Sequence, residues 1–205
     1  MKFILFFTSI FFIISCSQTG VKNAVKKDSI IVSKTAVDTA NLIIDLTGEV
    51  LGTLKKGDYT AFANYMHPQE GVQFSPYGNI DTLNHLKLSS SEFLKKINVN
   101  EKLIWGAYDG TGDTILLSIK EYLKKFVYNA DFLNADSLNF NRSISHGNSL
   151  NNLADVYKNC LFTESYFAGF DKKYEGMDWC SLKLVYKQYN GKFYLIAVIH
   201  DQWTT

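Results

Sequence analysis

The chain has 205 residues, 46% hydrophobic and 15% aromatic, which is too apolar for intrinsic disorder and long enough for one domain with a sizeable core. Its 21 lysines and arginines against 20 aspartates and glutamates give a net charge of +1, without the concentrated cationic face that nucleic-acid binding needs. Arg142 is the sole arginine, so the planar fork that grips carboxylates and phosphates is nearly absent, which weighs against an enzyme of anionic substrates.

The N-terminus carries one cation, Lys2, and then runs apolar from Phe3 to Ile14, broken only by Thr8 and Ser9. A spanning helix needs about 20 apolar residues, so this shorter run fits the hydrophobic region of a secretory signal. It ends in Ile13-Ile14-Ser15-Cys16, which resembles the lipobox of bacterial lipoproteins: an aliphatic residue three before the cysteine, a small one just before it, then the thiol. The resemblance implies that residues 1–15 are a signal peptide and that Cys16 is the lipidation site. A single myristoyl chain binds membranes reversibly, whereas the two or three acyl chains of a mature lipoprotein anchor it stably without a spanning helix. No acidic side chain occurs at 17–20, which for such lipoproteins implies the outer membrane, facing the periplasm. Residues 16–36, with Lys22, Lys26 and Lys27 among small polar neighbours, read as a flexible lipidated tether. A single α+β domain is expected over 37–205.

Within that domain Leu42, Leu46, Val50 and Leu54 recur every four residues, flanked by Ile43 and Leu51, and predict a helix over 37–56 with one apolar stripe. Gly57 suits its C-terminal cap, and Asp58 suits the N-cap of a second helix that buries Tyr59, Phe62, Ala63 and Met66 and stops at His67-Pro68. Ser89 with Glu92, and Ser118 with Glu121, are capping boxes. They predict a third helix with Phe93, Leu94 and Ile97 inward, and a fourth with Ile119, Tyr122, Leu123 and Phe126 inward.

The C-terminal part reads as strands, near 138–144, 161–167 and on either side of Asn190-Gly191, which is a two-residue hairpin turn. That turn sets opposed residues to sum to 381: Leu182 faces Ile199, Leu184 faces Ala197 and Tyr186 faces Leu195, with Lys183 against Val198 on the other face. The last strand, 193–199, is apolar on both faces and is expected at the centre of its sheet. If the strands holding Cys160 and Cys180 pair directly, opposed residues sum to about 345 and these two sum to 340. Such an offset exceeds the Cα separation of about 7 Å that a disulfide tolerates, so two buried thiols are expected.

Helices first and then a curved antiparallel sheet packed over them make an α+β layout. It resembles the cone-shaped fold of nuclear-transport-factor-2-like (NTF2-like) proteins. His67-Pro68 with Gly71-Val72 and Phe74-Ser75-Pro76-Tyr77, Trp105-Gly106 with Tyr108-Asp109-Gly110, Gly176-Met177-Asp178-Trp179 and His200-Asp201-Gln202-Trp203-Thr204 resemble segments of a family of secreted bacterial proteins of similar length. That likeness spans about residues 43–205 and implies no activity.

Chemistry-bearing patterns are sparse. Asp109-Gly-Thr-Gly-Asp113 begins like a calcium loop, but the twelfth position is Lys120 instead of a bidentate glutamate, so it reads as a glycine-rich turn. His67, His85, His146 and His200 share no metal spacing, and no catalytic, metal or cofactor motif appears. The candidate pocket gathers Trp105, Tyr108, Asp109, Trp179, His200, Asp201 and Trp203, the last three where the final strand leaves the sheet. His200 and Asp201 point to opposite sides of that strand unless a bulge intervenes, so they are not expected to form a dyad. The expectation is a lipid-anchored, non-enzymatic domain that binds a small apolar ligand or an envelope partner. The alternative is an isomerase- or cyclase-like enzyme using His200 with Asp201 or Asp109, which rests on fold analogy.

Overall fold

The computed structural model describes residues 25–144 and 150–204; the expected signal peptide and Cys16 lie outside the described residues. The chain divides between Ala36 and Val37, and the unit from Val37 onward holds the sheets and the core.

Helix α1 is Val25–Lys56, so helical backbone extends into the stretch expected as a tether. Its inward stripe is Ile43, Thr47, Val50, Leu51 and Leu54, while Leu42 is half exposed. The stripe is rotated from the expected one because Thr47 enters the core. Its hydroxyl is satisfied there by those of Thr163 and Tyr186, each at 2.9 Å, which removes the cost of burying it. Gly57 closes α1 with a positive φ of 68°, and Asp58 caps α2, Tyr59–Ala63, accepting from Ala61 N. Met66 lies beyond that short helix, buried and bridged to Leu195. Both capping boxes form as expected, at Ser89 for α3, Ser90–Val99, and at Ser118 for α4, Ile119–Tyr122. Helix α4 continues as a π-helical turn, Leu123–Val127, that keeps Leu123 and Phe126 inward.

The protein is a mixed α+β fold whose main sheet is six-stranded, in the order β2-β1-β8-β7-β6-β5. These strands are β1 (Val72–Ser75), β2 (Lys87–Leu88), β5 (Ser137–Phe140), β6 (Leu161–Phe167), β7 (Cys180–Tyr189) and β8 (Lys192–Gln202). The sheet is antiparallel except that β1 runs parallel to β8, pairing Phe74 with Val198. This corrects the wholly antiparallel expectation and places β8 centrally, as its apolar faces predict. Strands β3 (Lys102–Ala107) and β4 (Thr114–Ser118), which the periodicity does not reveal, form a separate antiparallel ribbon. A short helix α5, Leu153–Val156, precedes β6.

The hairpin register is corrected by a bulge. From Tyr189–Lys192 to Tyr186–Leu195 opposed residues sum to 381 as expected; from Val185–Ala197 onward they sum to 382. Ile196 is the extra residue, and Ile196 and Ala197 both turn to the same face. Leu184 therefore faces Val198, Leu182 faces His200 and Lys183 faces Ile199, in place of the expected pairs. One face of the sheet, with Phe74, Leu182, Leu184 and Val198, forms the main core against the helices and the ribbon. The other carries Val185, Ala197 and Ile199 under Ile80 and Leu153. Cys160 precedes β6, Cys180 is buried, and both are free thiols; burial pushes the Cys180 thiol up to about 12. Among the described residues no helix is long and apolar enough to cross a membrane.

Candidate functional site

The bulge decides which side chains meet at the end of β8. It turns Asp201 to the second face of the sheet, where it joins Lys183 and Glu164, both completely buried. Lys183 comes from β7 and Glu164 is its cross-strand partner on β6. The Lys183 ammonium donates to Asp201 Oδ2 at 2.7 Å and faces Glu164 Oε1 at 3.3 Å, an ion-pair contact without hydrogen-bond geometry. Glu164 Oε2 accepts from the Ile144 backbone N–H at 2.6 Å. Ions this deeply buried persist only when paired and hydrogen-bonded, since desolvation costs each several kcal/mol.

Asp201 also borders a cleft of about 750 Å³. One wall is the segment after β1, with Tyr77, Gly78, Asn79, Asp81 and His85; the opposite wall is the end of β3, with Ile104, Gly106, Ala107, Tyr108 and Asp109. Gly78 packs directly on Asp201: a Cβ there would lie 2.7 Å from Oδ2, so only glycine admits the carboxylate at this position. Gly106, with φ of 126°, likewise allows His85 to approach to about 3 Å of where its Cβ would stand. His85 Nδ1 accepts from the Asp81 backbone N–H at 3.1 Å and touches Ser75 Oγ at 3.0 Å. The proton therefore resides on Nε2, and burial lowers the imidazole pKa against the raising effect of Asp81, so the ring is neutral.

Of the residues singled out by sequence, Tyr108, Asp109 and Asp201 share this cleft. The others do not line it. Trp105 is fully buried, stacked on Tyr122 at 3.7 Å between ring centroids. Trp179 is buried beside Tyr166, and Trp203 is half-buried outside the cleft lining. His200 points into the main core, edge-on to Phe126. Its Nδ1–H donates to the Pro76 carbonyl at 3.3 Å, and its Nε2 accepts from the Asn129 amide at 3.2 Å. The pair of His200 with Asp201 that acid–base chemistry would use is thus split across the two faces of the sheet. Sequence reasoning does not find Lys183, Glu164 or His85. The signal is present in part: Lys183 sits between Leu182 and Leu184 in an apolar strand segment, where a charge survives only with a partner.

Burial lowers the His200 pKa from its ordinary 6.5 to about 4, outweighing the raising effects of the Pro76 carbonyl and Asp201. The unfolded chain binds this proton more readily between those two values, so stability falls as pH drops through that window and is fully present above it. Denaturant unfolding at pH 5 is expected to show about 2 kcal/mol less stability than at pH 7 from this residue. A His200→Gln variant, weaker at pH 7, should lose that part of the pH dependence; an unchanged slope would refute the assignment.

Among the described residues no group of three or more His, Cys, Asp or Glu side chains is placed to hold a metal ion. No family model matches the chain, and no curated protein matches it. Among solved structures, a designed NTF2-like protein is similar at 16% identity over 80% of this chain and 98% of its own, with a TM-score of 0.32.

Proposed function

We propose that the domain is a non-enzymatic ligand-binding module, borne on a lipid-anchored envelope protein, with the cone-like layout of NTF2-like proteins. The observation that carries the ligand-binding reading is the cleft itself. It is a concavity of drug-ligand size in which a buried, ion-paired carboxylate, a tautomer-fixed histidine and two tyrosines converge from three separate chain segments. The residues at its rim are largely polar, which supports a polar ligand in place of the apolar one suggested by aromatic content: Trp105 and Trp179, the residues that suggest it, are spent in packing. The long helix, the short helix ending before His67-Pro68 and the sheet with β8 at its centre support the cone-like layout.

Mass spectrometry of the protein released from native membranes under non-denaturing conditions tests the ligand reading. The protein is expected to retain a small molecule, and Ala107→Trp, which fills the cleft from an exposed position, is expected to lose it. A protein that retains nothing, or a variant that retains as much, would contradict the reading. The anchor rests on the lipobox-like residues ending at Cys16. Cys16→Ser is expected to move the protein from the membrane to the soluble envelope fraction and to abolish palmitate labelling; a mutant that stays membrane-bound and labelled would contradict it.

A further inference from the structure

We propose that the ligand of this cleft is a neutral saccharide, held through its hydroxyl groups; the inference rests on the ligand-binding reading above and narrows its chemical class. The charges that line the cleft are largely answered within the fold. Asp81 accepts from the backbone N–H groups of Leu83 and Asn84 and from the Asn84 amide at 2.6 Å, and Asp201 accepts from Lys183 at 2.7 Å. Asp109 stands exposed to water. Among the described residues that line the cleft there is no lysine or arginine to meet an anion. What the lining leaves open is uncharged. The side-chain amides of Asn79 and Gln202, the Thr204 hydroxyl and His85 Nε2–H meet no hydrogen-bond partner among the described residues. The His85 group is directional: Nδ1 accepts from the Asp81 N–H, so the neutral ring offers its proton, and the missing Cβ of Gly106 leaves room beside Nε2. An amide and a hydroxyl each donate and accept, so this set suits a ligand that does both at closely spaced positions without net charge. Sugar hydroxyls have that character on successive carbons. A purely apolar ligand would strand these groups, at about 1–3 kcal/mol for each one buried. A peptide, the other neutral ligand that donates and accepts, is held by a row of backbone groups on a strand edge with apolar sockets for alternate side chains. Here the open groups are side chains from three separate segments, and the apolar side chains of the lining, Ile104 and Leu150, are 60% and 73% exposed.

The test is a printed array of neutral oligosaccharides, uronic-acid glycans, free-amine glycans and short peptides, probed with the lipid-free domain. The domain is expected to bind neutral glycans and to pass over the other three classes. The best neutral glycan is then titrated calorimetrically. Asn79→Asp, at an exposed position where folding is not at stake, replaces the amide donor with an acceptor and should weaken binding about tenfold. Ala107→Trp should abolish binding, and raising the salt to about 1 M should change it less than about twofold, because no ion pair contributes. Preferred binding to a charged glycan or a peptide, a neutral glycan that still binds Ala107→Trp, or an unaffected Asn79→Asp overturns the proposal. Cosedimentation with isolated cell-wall sacculi, with and without the free glycan as competitor, separates a polymeric envelope glycan from a free sugar, and either source sustains the proposal. If nothing on the array binds, the molecule retained by the native protein decides. A retained saccharide sustains the proposal, a retained molecule of another class overturns the saccharide inference alone, and a protein that retains nothing overturns the ligand-binding reading with it.

Discussion

Lys183→Met is expected to lower the unfolding free energy by about 3–5 kcal/mol, because it leaves two buried carboxylates without their shared cation. The lysine is completely buried on β7, 2.7 Å from Asp201 and 3.3 Å from Glu164, so water cannot take over the role of its ammonium. Coulomb repulsion between the stranded acids at low effective dielectric, together with their desolvation, drives the loss. The effect has a diagnostic partner. Removing the charges as well, in the triple variant Lys183→Met, Glu164→Gln, Asp201→Asn, should recover a large part of it, because residues in one network do not add independently. Urea unfolding followed by circular dichroism measures both. A single variant that loses under about 1 kcal/mol would mean that the three groups are not assembled as described.

The second large effect is expected at Trp105, where alanine should cost about 3–5 kcal/mol, the range for deleting a large buried aromatic. Three contacts explain the size. The indole stacks on Tyr122, meets the edge of Phe74 at 5.6 Å, and donates its Nε1–H to the Leu117 carbonyl at 2.8 Å, tying β3 to β4. Ile104, the preceding residue of β3, faces solvent at 60% exposure, so Ile104→Ala should cost under about 0.5 kcal/mol. Similar losses at the two positions would mean that the ribbon is rotated about its strands. The same contrast is why Trp105 reads differently in the fold and in the chain: a tryptophan near Tyr108 and Asp109 looks like a ligand platform until its partners on α4 and β1 are known.

Where a local rule suffices, the chain is legible. The two capping boxes, the Asp58 cap, the hairpin turn at Asn190-Gly191 and strand β6 all arise from side-chain chemistry within a few residues. Long-range features are not legible in this way. Strand β1 is four residues long and is defined by a parallel neighbour far along the chain, and nothing in Val-Gln-Phe-Ser announces that pairing. The bulge at Ile196 is silent for a different reason. Because β8 is apolar on both faces from Leu195 to Ile199, sliding it by one residue exchanges hydrophobe for hydrophobe and leaves no break in pattern. That one residue determines the site: without it Asp201 would face the main core and Lys183 would have no carboxylate on β8. Of the cleft, Tyr108, Asp109 and Asp201 are readable from their polar or amphipathic character near turns and a strand end, whereas His85 and Gly78 acquire meaning only when β1 carries them against β8 and β3.

A small molecule held between the segment after β1, the end of β3 and the end of β8 is the central expectation for this protein. An amide correlation spectrum of the isotope-labelled domain, stripped of ligand and then titrated with the molecule recovered by mass spectrometry, tests it most directly. The expected result is saturable shifts concentrated at Gly78, Asn79, Gly106, Ala107 and Gln202, with Gly48 on α1 and Gly191 at the hairpin tip unmoved. Shifts concentrated at Gly48 or Gly191, or none at the cleft under saturating ligand, would contradict it.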